Sequence, residues 1–515
     1  MLELEGVLRD TPGSGFRMIR VGLMKRLLSI ATVLFTGFSA LADERPNIVW
    51  IIPDDMSANF GCYGETAIET PHVDQLAKSG LKFTNAYVTA PVCSTCRSAF
   101  ITGMYQTSVG SHHHRSGRGE LKIHLPEPIK LVPKLFQEAG YHTSISSWPG
   151  VKGKFGKTDY NFEWDKEVYD SSLWQDRAEG QPFFHQVHTP GGKLRGKDEE
   201  GWEKAQRRAE EVLGSRTPDS AVELPPYYPD HPDIVRDWAA YLDSARMTDH
   251  MVGEVVAKLK EERLLENTLV IFMTDHGISH ARGKQFMYDE GLHVPLVIAG
   301  PSIEAGAVRD DVVEHIDIAA LSLGAAGIEV PKWMQARDIL AKGYEPREAA
   351  FSARDRCDET VDHMRAVRTR DFKYIRNFLP NRPYLQPCAY KDAKDILITL
   401  RQAYKDEALD KTQRLLFREN RPVEELYDVN ADPYEINNLA EDPAYADELA
   451  KMRERLATWM VETDDHGREP ESAEMFDSDM AVYVGGLKAK KRNPEHLQNI
   501  IDNIELMKKW AAEGK

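Results

Sequence analysis

The sequence has few long apolar runs, few cysteines and fewer basic than acidic residues. Its mostly apolar segment 27–38 is shorter than the roughly 20 residues that a transmembrane helix requires. Lysine and arginine number 65 against 82 acidic residues, and the formal net charge is −17. This balance argues against broad binding to nucleic acid, so that an anionic substrate would need a local basic pocket.

Cysteine is scarce, and its number is odd. The five cysteines are Cys62, Cys93, Cys96, Cys357 and Cys388. An odd number leaves at least one thiol unpaired in an oxidising compartment. A disulfide between Cys357 and Cys388 is one pairing that the sequence allows, but the sequence does not determine connectivity.

The N-terminal region has the pattern of a secretory signal peptide. The basic residues Lys25 and Arg26 precede the apolar segment 27–38, and Ala40-Leu41-Ala42 has the small residues of a cleavage site. We therefore expect a signal peptide around 24–42, cleavage after Ala42, and export to the periplasm or the outside of the cell. The alternative is that the apolar segment remains as an uncleaved anchor.

Two short apolar runs, 47–52 and 269–273, are typical of strands buried on both faces of a parallel sheet. Asp54 and Asp55 follow the first run, and Asp275 and His276 follow the second. Ligands bind at the carboxyl ends of such strands, and carboxylate oxygens suit a hard cation. These four residues predict a divalent-metal site, although an acidic turn would also explain the first pair.

Cys93 and Arg97 are four residues apart, which would place them on one face of a helix. If a helix begins here, its first N–H groups favour an anion near Cys93. The planar guanidinium of Arg97 suits the oxygens of sulfate or phosphate. The plainer alternative is a packing cysteine and a surface arginine.

The stretch Pro91–Gly103, with Cys93, Arg97 and the run Ser98-Ala-Phe-Ile-Thr-Gly103, resembles the signature of type I sulfatases. One departure is Thr95, where the signature has Pro or Ala. The resemblance implies an α/β fold: an alkaline-phosphatase-like sandwich with a mixed, mainly parallel central sheet, plus a smaller C-terminal α+β domain with an antiparallel sheet. It also implies that a formylglycine-generating enzyme converts Cys93 to formylglycine, the nucleophile, and so removes this thiol from pairing.

Further motifs of the same family follow in the expected order. Gly156-Lys157 and Gly283-Lys284 resemble its two sulfate-binding lysine motifs, with Lys154 as the alternative to Lys157. The segment Pro182-Phe-Phe resembles the strand before a catalytic histidine, for which His188 is the candidate and His185 the alternative. His280 is a second candidate for protonating the leaving group.

The resemblance assigns a role to each of these residues. Arg97, Lys157 and Lys284 would neutralise the sulfate, and His188 or His280 would protonate the departing group. The resemblance also implies one divalent cation, for which Ca²⁺ is the first candidate and Mg²⁺ the second. Its ligands would include the nucleophile. These ligands are Asp54, Asp55, Cys93, Asp275 and His276.

Four segments are predicted along the chain. They are an N-terminal extension and signal peptide (1–42), a catalytic domain (43–335), a C-terminal subdomain (336–480) and a helical tail (481–515). In the subdomain, Asp355, Arg356 and Glu359 either reach sugar hydroxyls or form surface salt bridges.

The expected function is hydrolysis of sulfate esters or N-sulfates of a sulfated carbohydrate. The segment 362–368 resembles the subgroup that acts on N-sulfated glucosamine. Two alternatives remain open. One is a phosphodiesterase or phosphonate hydrolase of the alkaline phosphatase superfamily, and the other is a non-catalytic homologue that binds sulfated glycans.

Overall fold

An eight-stranded sheet is the centre of the structure, a computed structural model that describes residues 45–490 and 493–515. Its strands are β1 (Asn47–Pro53), β2 (Leu81–Tyr87), β3 (His142–Val151), β4 (Lys154–Phe155), β5 (Phe183–Thr189), β6 (Thr268–Met273), β7 (Leu296–Ala299) and β8 (Ala307–Glu314). Their order is β4-β3-β5-β1-β6-β7-β2-β8. The pairs β1–β5, β1–β6, β3–β5 and β2–β8 are parallel, and the other three are antiparallel. The expected mixed, mainly parallel sheet is confirmed.

The two central strands β1 and β6 are buried along their whole length. Trp50 of β1 makes edge-on contacts with Phe100 and Phe184, and its indole N–H donates to Ser322 Oγ over 2.9 Å. Such a run of apolar, largely β-branched residues is stable only where both faces of the sheet are covered. Burial of both strands explains why their polar residues are confined to the strand ends.

Helices cover both faces of this sheet and form the chain's C-terminal end. The α-helices of the described residues are α1 (Pro71–Ser79), α2 (Cys93–Thr102), α3 (Val132–Glu138), α4 (Glu199–Leu213), α5 (Pro232–Glu261), α6 (Asp289–Leu292), α7 (Asp317–Ala325), α8 (Ala389–Asp392), α9 (Asp395–Lys405), α10 (Ala446–Glu462), α11 (Ala473–Ala489) and α12 (Pro494–Ala512). None of these helices combines the length and apolar character that crossing a bilayer requires.

A second, four-stranded sheet follows the first in the chain. It consists of β9 (Ala350–Arg354), β10 (Met364–Arg368), β11 (Phe372–Asn377) and β12 (Glu424–Asp428), all antiparallel, in the order β12-β11-β10-β9. The expected C-terminal antiparallel sheet is therefore confirmed. Residues 45–515 cluster as one unit, and the segment boundaries at 335 and 480 remain predictions. The signal-peptide segment lies outside the described residues.

Three charged residues that follow β9 are buried, although the sequence suggested a surface position for them. Asp355, Arg356 and Glu359 are each at most 4% exposed. Arg356 binds the carboxylates of Glu471 and Asp479 over 2.6 to 2.8 Å. Buried charges require such partners, so Arg356 joins the subdomain to the C-terminal helices. Their burial rules out surface salt bridges, and contact with sugar hydroxyls stays a prediction.

Candidate active site

The site begins where β1 and β6 end side by side. Because these neighbouring strands are parallel, their carboxyl ends bring Asp54 and Asp55 next to Asp275 and His276. The backbone N–H of Asp55 donates to Asp275 Oδ1 over 3.0 Å. Asp55 has a φ of 55°, a left-handed conformation that few residues other than glycine adopt. The turn after β1 is thus tied directly to the acid of the neighbouring strand.

Cys93 faces this cluster as the first residue of α2. Its Sγ lies 3.1 Å from His276 Nε2, 3.0 Å from Lys284 Nζ and 3.5 Å from Asp55 Oδ1. Val92 before it is extended, so the helix starts at the cysteine, as the sequence predicts. The thiol therefore lies at the positive end of a helix and against a buried cation.

Arg97, one turn further along α2, is completely buried. Its guanidinium binds Asp54 and lies 3.1 Å from Asp275 Oδ2. Burial disfavours the charged form, but Asp54 and Asp275 outweigh it and raise the pKa of Arg97. The prediction that Cys93 and Arg97 lie on one helix face near the acids is confirmed by these contacts, whereas a surface arginine is excluded.

Three lysines also lie close to Cys93 and the aspartates. Lys157 Nζ is 3.2 Å from Asp54 Oδ2, and Lys284 Nζ is 3.0 Å from Asp55 Oδ1. Lys193 Nζ is 2.5 Å from Asp54 Oδ2 and 3.9 Å from Cys93 Sγ. Burial would raise the pKa of the Cys93 thiol, but Lys157, Lys193 and Lys284 outweigh it and lower this pKa to about 7. The surroundings of residue 93 thus stabilise a negative charge.

Lys193 is a residue that the sequence interpretation missed. Gly192 N donates to the Asp54 carbonyl over 2.9 Å, and a Cβ atom at Gly191 or Gly192 would lie 2.1 or 2.2 Å from the carbonyl oxygen of Asp54 or Asp55. Only glycine permits this approach. The signal for Lys193 was a glycine pair directly after another strand of the sheet, β5.

The structure distinguishes between the alternative residues near β3 and β5. Lys157 reaches the site, whereas Lys154 is exposed on β4. His188 Nδ1 accepts a hydrogen bond of 2.7 Å from Lys157 N, and its Nε2 is 3.3 Å from Arg97 Nη1. Burial, and then Arg97, lower the pKa of His188 well below its usual range. His185 instead binds Ser144 and Ser146 within the sheet.

His280 lies apart from these contacts. It is completely buried, its ring stacks on Trp238 at 4.4 Å between centroids, and its Nε2 is bound to Asp237. No hydrogen bond or ion pair of the described residues joins it to Cys93. The proposed role of His280 as a leaving-group acid therefore has no support, because a ring enclosed in this way has no access to a substrate.

Part of the predicted ligand set has the arrangement that a metal ion requires. Ligand atoms of Asp55, Cys93, Asp275 and His276 all lie within 4.8 Å of one another. Asp55 Oδ2 is buried without a hydrogen-bond partner in the structure. An unpaired buried carboxylate oxygen is costly unless a cation compensates it. Asp54 differs from the others because its carboxylate binds Arg97, Lys157 and Lys193.

A cavity of about 1260 Å³ leads from this cluster toward the C-terminal helices. Asp55, Arg115 and Lys193 line its inner end, and Tyr390 and Lys394 lie on one side. The cavity gives the cationic centre an opening much larger than a single tetrahedral anion.

Comparison with known proteins agrees with this arrangement. Residues 46–328, more than half of the chain, match the family described as Sulfatase, and residues 276–416 match the C-terminal region of N-sulphoglucosamine sulphohydrolase. An ulvan-active sulfatase of Formosa agariphila is 31% identical over 469 residues, covering 83% of this chain and 77% of its own. The human N-sulphoglucosamine sulphohydrolase is 27% identical, with 82% of this chain and 92% of that protein covered.

A solved structure shares the fold at lower identity. It is described as a complex with its substrate D-glucosamine-2-N,6-O-disulfate, and it is 19% identical with a TM-score of 0.56, covering 83% of this chain and all of the other. The family match covers most of the central sheet, and the Formosa relative is similar along most of both chains. This protein is therefore a member of the sulfatase family, with the alkaline-phosphatase-like fold, and is a sulfuric ester hydrolase.

Proposed function

We propose that this protein removes sulfate from a sulfated carbohydrate, using a formylglycine derived from Cys93 and one divalent cation. The observation that carries the proposal is the position of residue 93. It begins a helix, lies 3.0 Å from Lys284 and 3.9 Å from Lys193, and has Arg97 on the next turn. A nucleophile at this point would attack a sulfur atom whose oxygens are surrounded by cations.

Each cation has a separate task in this proposal. Lys284 holds the transferred sulfate group beside residue 93, and the buried Arg97, paired with Asp54 and Asp275, adds positive charge to the centre. Lys193, whose side chain is 36% exposed, is the most exposed of the cations near Cys93 and lines the cavity, so it neutralises charge on the departing oxygen. His188 accepts from Lys157 N and so fixes the loop that carries the Lys157 ammonium. A catalytic group held in place in this way lowers the barrier because its orientation is fixed before the reaction begins.

Asp55, Asp275 and His276 would hold the divalent cation beside residue 93, with Asp54 as a further ligand if it releases one of its cations. When bound, the ion polarises a sulfate oxygen and lowers the pKa of the nucleophile. Ca²⁺ is the first candidate for this ion because most of these ligands are oxygens. Because His276 would add a nitrogen ligand, Mg²⁺ is the second candidate.

The proposed maturation of Cys93 requires a formylglycine-generating enzyme. Thr95, the departure from the family signature, donates its hydroxyl to the Val92 carbonyl over 2.8 Å. The mature fold therefore accommodates threonine here through a hydrogen bond at the start of α2. The pattern at residues 24–42 supports export, which agrees with a polysaccharide substrate outside the cytoplasm.

The substrate class rests on relatives and on the chain's own cavity. The names of the similar proteins point to ulvan and to N-sulfated glucosamine, both sulfated carbohydrates. Segment 362–368 resembles the N-sulfate subgroup, but its charged side chains serve the fold. Asp362 binds Arg354 and Arg421, and Arg365 binds Asp355 and Asp465. We therefore propose a sulfated sugar and leave O-sulfate and N-sulfate as two cases to be compared.

Mass spectrometry of the peptide that contains residue 93 tests the maturation. In protein from the native host, we expect an aldehyde in place of the thiol of Cys93. An unmodified thiol in all of that protein would exclude the formylglycine mechanism and favour a glycan-binding homologue. Cys96, which is buried three residues later, is the internal control and should remain a thiol.

A comparison of substrates tests the reaction. The purified protein should release sulfate from 4-nitrophenyl sulfate and from ulvan or N-sulfated glucosamine faster than it hydrolyses a phosphodiester or a phosphonate monoester. Cys93→Ala should abolish turnover while the circular dichroism spectrum and Tm stay close to those of the wild type. Full activity in this variant would refute the nucleophile, and a preference for phosphorus esters would favour the alternative hydrolase.

Replacement of Lys193 tests the residue that only the structure revealed. Lys193→Ala should lower kcat/KM for 4-nitrophenyl sulfate by about 10² to 10³-fold, because one cation that stabilises the transition state is lost. Lys197→Ala is the matched control, since Lys197 lines the same cavity but makes no contact with Cys93. Equal effects of the two substitutions would contradict a specific role for Lys193.

Removal of divalent ions tests the metal. A chelator should lower activity and Tm, and Ca²⁺ should restore both more effectively than Mg²⁺, since an ion bound only by the folded state stabilises it. Asp55→Asn should lose the Tm response to added Ca²⁺. Unchanged activity and Tm after exhaustive chelation would contradict a metal requirement.

A further inference from the structure

The C-terminal helical hairpin, which we define as α11 and α12, lines the cavity that reaches Asp55 and Lys193 beside Cys93. From its inner end at Asp55 and Lys193, the cavity extends to Tyr483 of α11 and to His496 and Asn499 of α12. Its volume of about 1260 Å³ leaves most of the space beyond the cationic centre free for other parts of a substrate. The helical tail predicted over 481–515 includes α12 and the second half of α11.

We propose that this hairpin is a binding wall for the sugar next to the sulfated one, and that Tyr483, His496 and Asn499 recognise its hydroxyl groups. The inference rests on the proposed function, because it assumes that the sulfate lies at the cationic end of the cavity. It adds that the substrate is at least a disaccharide and that the second sugar contributes to binding.

The hydrogen-bonding groups of this wall are available. Tyr483 and His496 are partly exposed and Asn499 is exposed, and within residues 45–490 and 493–515 no hydrogen bond or ion pair occupies their polar atoms. An amide and an imidazole each offer a donor and an acceptor, as a sugar hydroxyl requires. The tyrosine adds a flat apolar face with a polar tip. This combination suits a sugar ring better than a second anion.

The wall is held in place by contacts that do not involve the proposed ligand. Phe476, Met480, Met507 and Trp510 form a small core between the two helices, and the Tyr483 ring packs against it. A binding surface fixed in advance loses little conformational entropy when the ligand arrives.

Ionic and backbone contacts fasten the hairpin to the rest of the protein. Asp479 accepts hydrogen bonds from Arg356 Nη2 over 2.6 Å and from Arg118 N over 3.1 Å. At the other end, Arg382 donates to the Lys515 carbonyl over 2.9 and 3.0 Å. The wall therefore has a defined distance from the cationic centre.

The hairpin also lies beyond both matched family regions, of which one ends at residue 328 and the other at residue 416. The sulfate-binding groups, in contrast, all precede both positions. The two ends of the cavity thus derive from different parts of the chain: the family region supplies the sulfate centre, and the C-terminal segment supplies the contacts to the neighbouring sugar.

The test separates the sulfate centre from the wall. For the wild type, His496→Ala/Asn499→Ala and Glu505→Ala, kcat/KM is measured on 4-nitrophenyl sulfate, on the sulfated monosaccharide that the wild type hydrolyses, and on a disaccharide that carries this sugar. Glu505 is the control, because it is exposed on α12 but does not line the cavity. The wild type should prefer the disaccharide by about tenfold or more, which two hydrogen bonds can supply.

The double variant should lose this preference while its rate on 4-nitrophenyl sulfate stays within about twofold of the wild type, and Glu505→Ala should retain both. A double variant that keeps the preference, or that loses the aryl sulfate activity equally, overturns the inference. If the wild type hydrolyses no sulfate ester, the proposed function fails. Calorimetric titration with oligosaccharides from ulvan and heparin then decides the inference: binding that the double variant loses upholds it, and no binding overturns it.

Discussion

The buried ion pairs of Arg97 with Asp54 and Asp275 are the constraint on which the site depends. A guanidinium with no exposed surface is stable only with carboxylate partners, and removing either partner would leave an uncompensated charge. These pairs connect α2 to the ends of β1 and β6. They fix where α2 begins and hence the position of Cys93 relative to the acids. The same carboxylates that hold Arg97 are thus part of the scaffold for the reaction.

Charge balance accounts for the remaining residues of the centre. Two adjacent acids after β1 could not be buried beside Asp275 without neighbouring cations. Burial raises the pKa of Asp54, but Lys157, Arg97 and Lys193 outweigh it and hold this pKa well below its usual range. As a consequence, the cations remain close to Cys93. The site therefore attracts an anion even though the whole chain has a net charge of −17. The acidic remainder of the surface does not weaken this local field, because surface charges are screened over about 10 Å.

Most of the fold and much of the centre could be predicted from local patterns. Short apolar runs marked β1 and β6, and the ends of such strands in a parallel sheet meet at one edge. This reasoning identified Asp54, Asp55, Asp275 and His276. Helical spacing identified Arg97 from Cys93, and motifs of the family identified Lys157 and Lys284. In each case a sequence pattern only a few residues long predicted which side chains lie together in the fold.

Other assignments depended on tertiary contacts that no local pattern contains. His188 and His280 looked equivalent in the sequence, but one ring lies against Arg97 and the other is enclosed by Trp238 and Asp237. Lys193 reaches the centre because a glycine pair lets its loop pass over the backbone of Asp54.

The sequence by itself determined the family of this protein and predicted that Cys93, Arg97 and the acids lie together, since these depend on residue types at short spacings. Only the tertiary structure decided which cations surround Cys93 and which helices line the cavity. The C-terminal hairpin lies about 400 residues after Cys93 in the chain, yet it lines a cavity that reaches Asp55 and Lys193, both neighbours of Cys93. Contacts between such distant segments arise from packing of the whole fold, and no periodicity or motif within either segment specifies them.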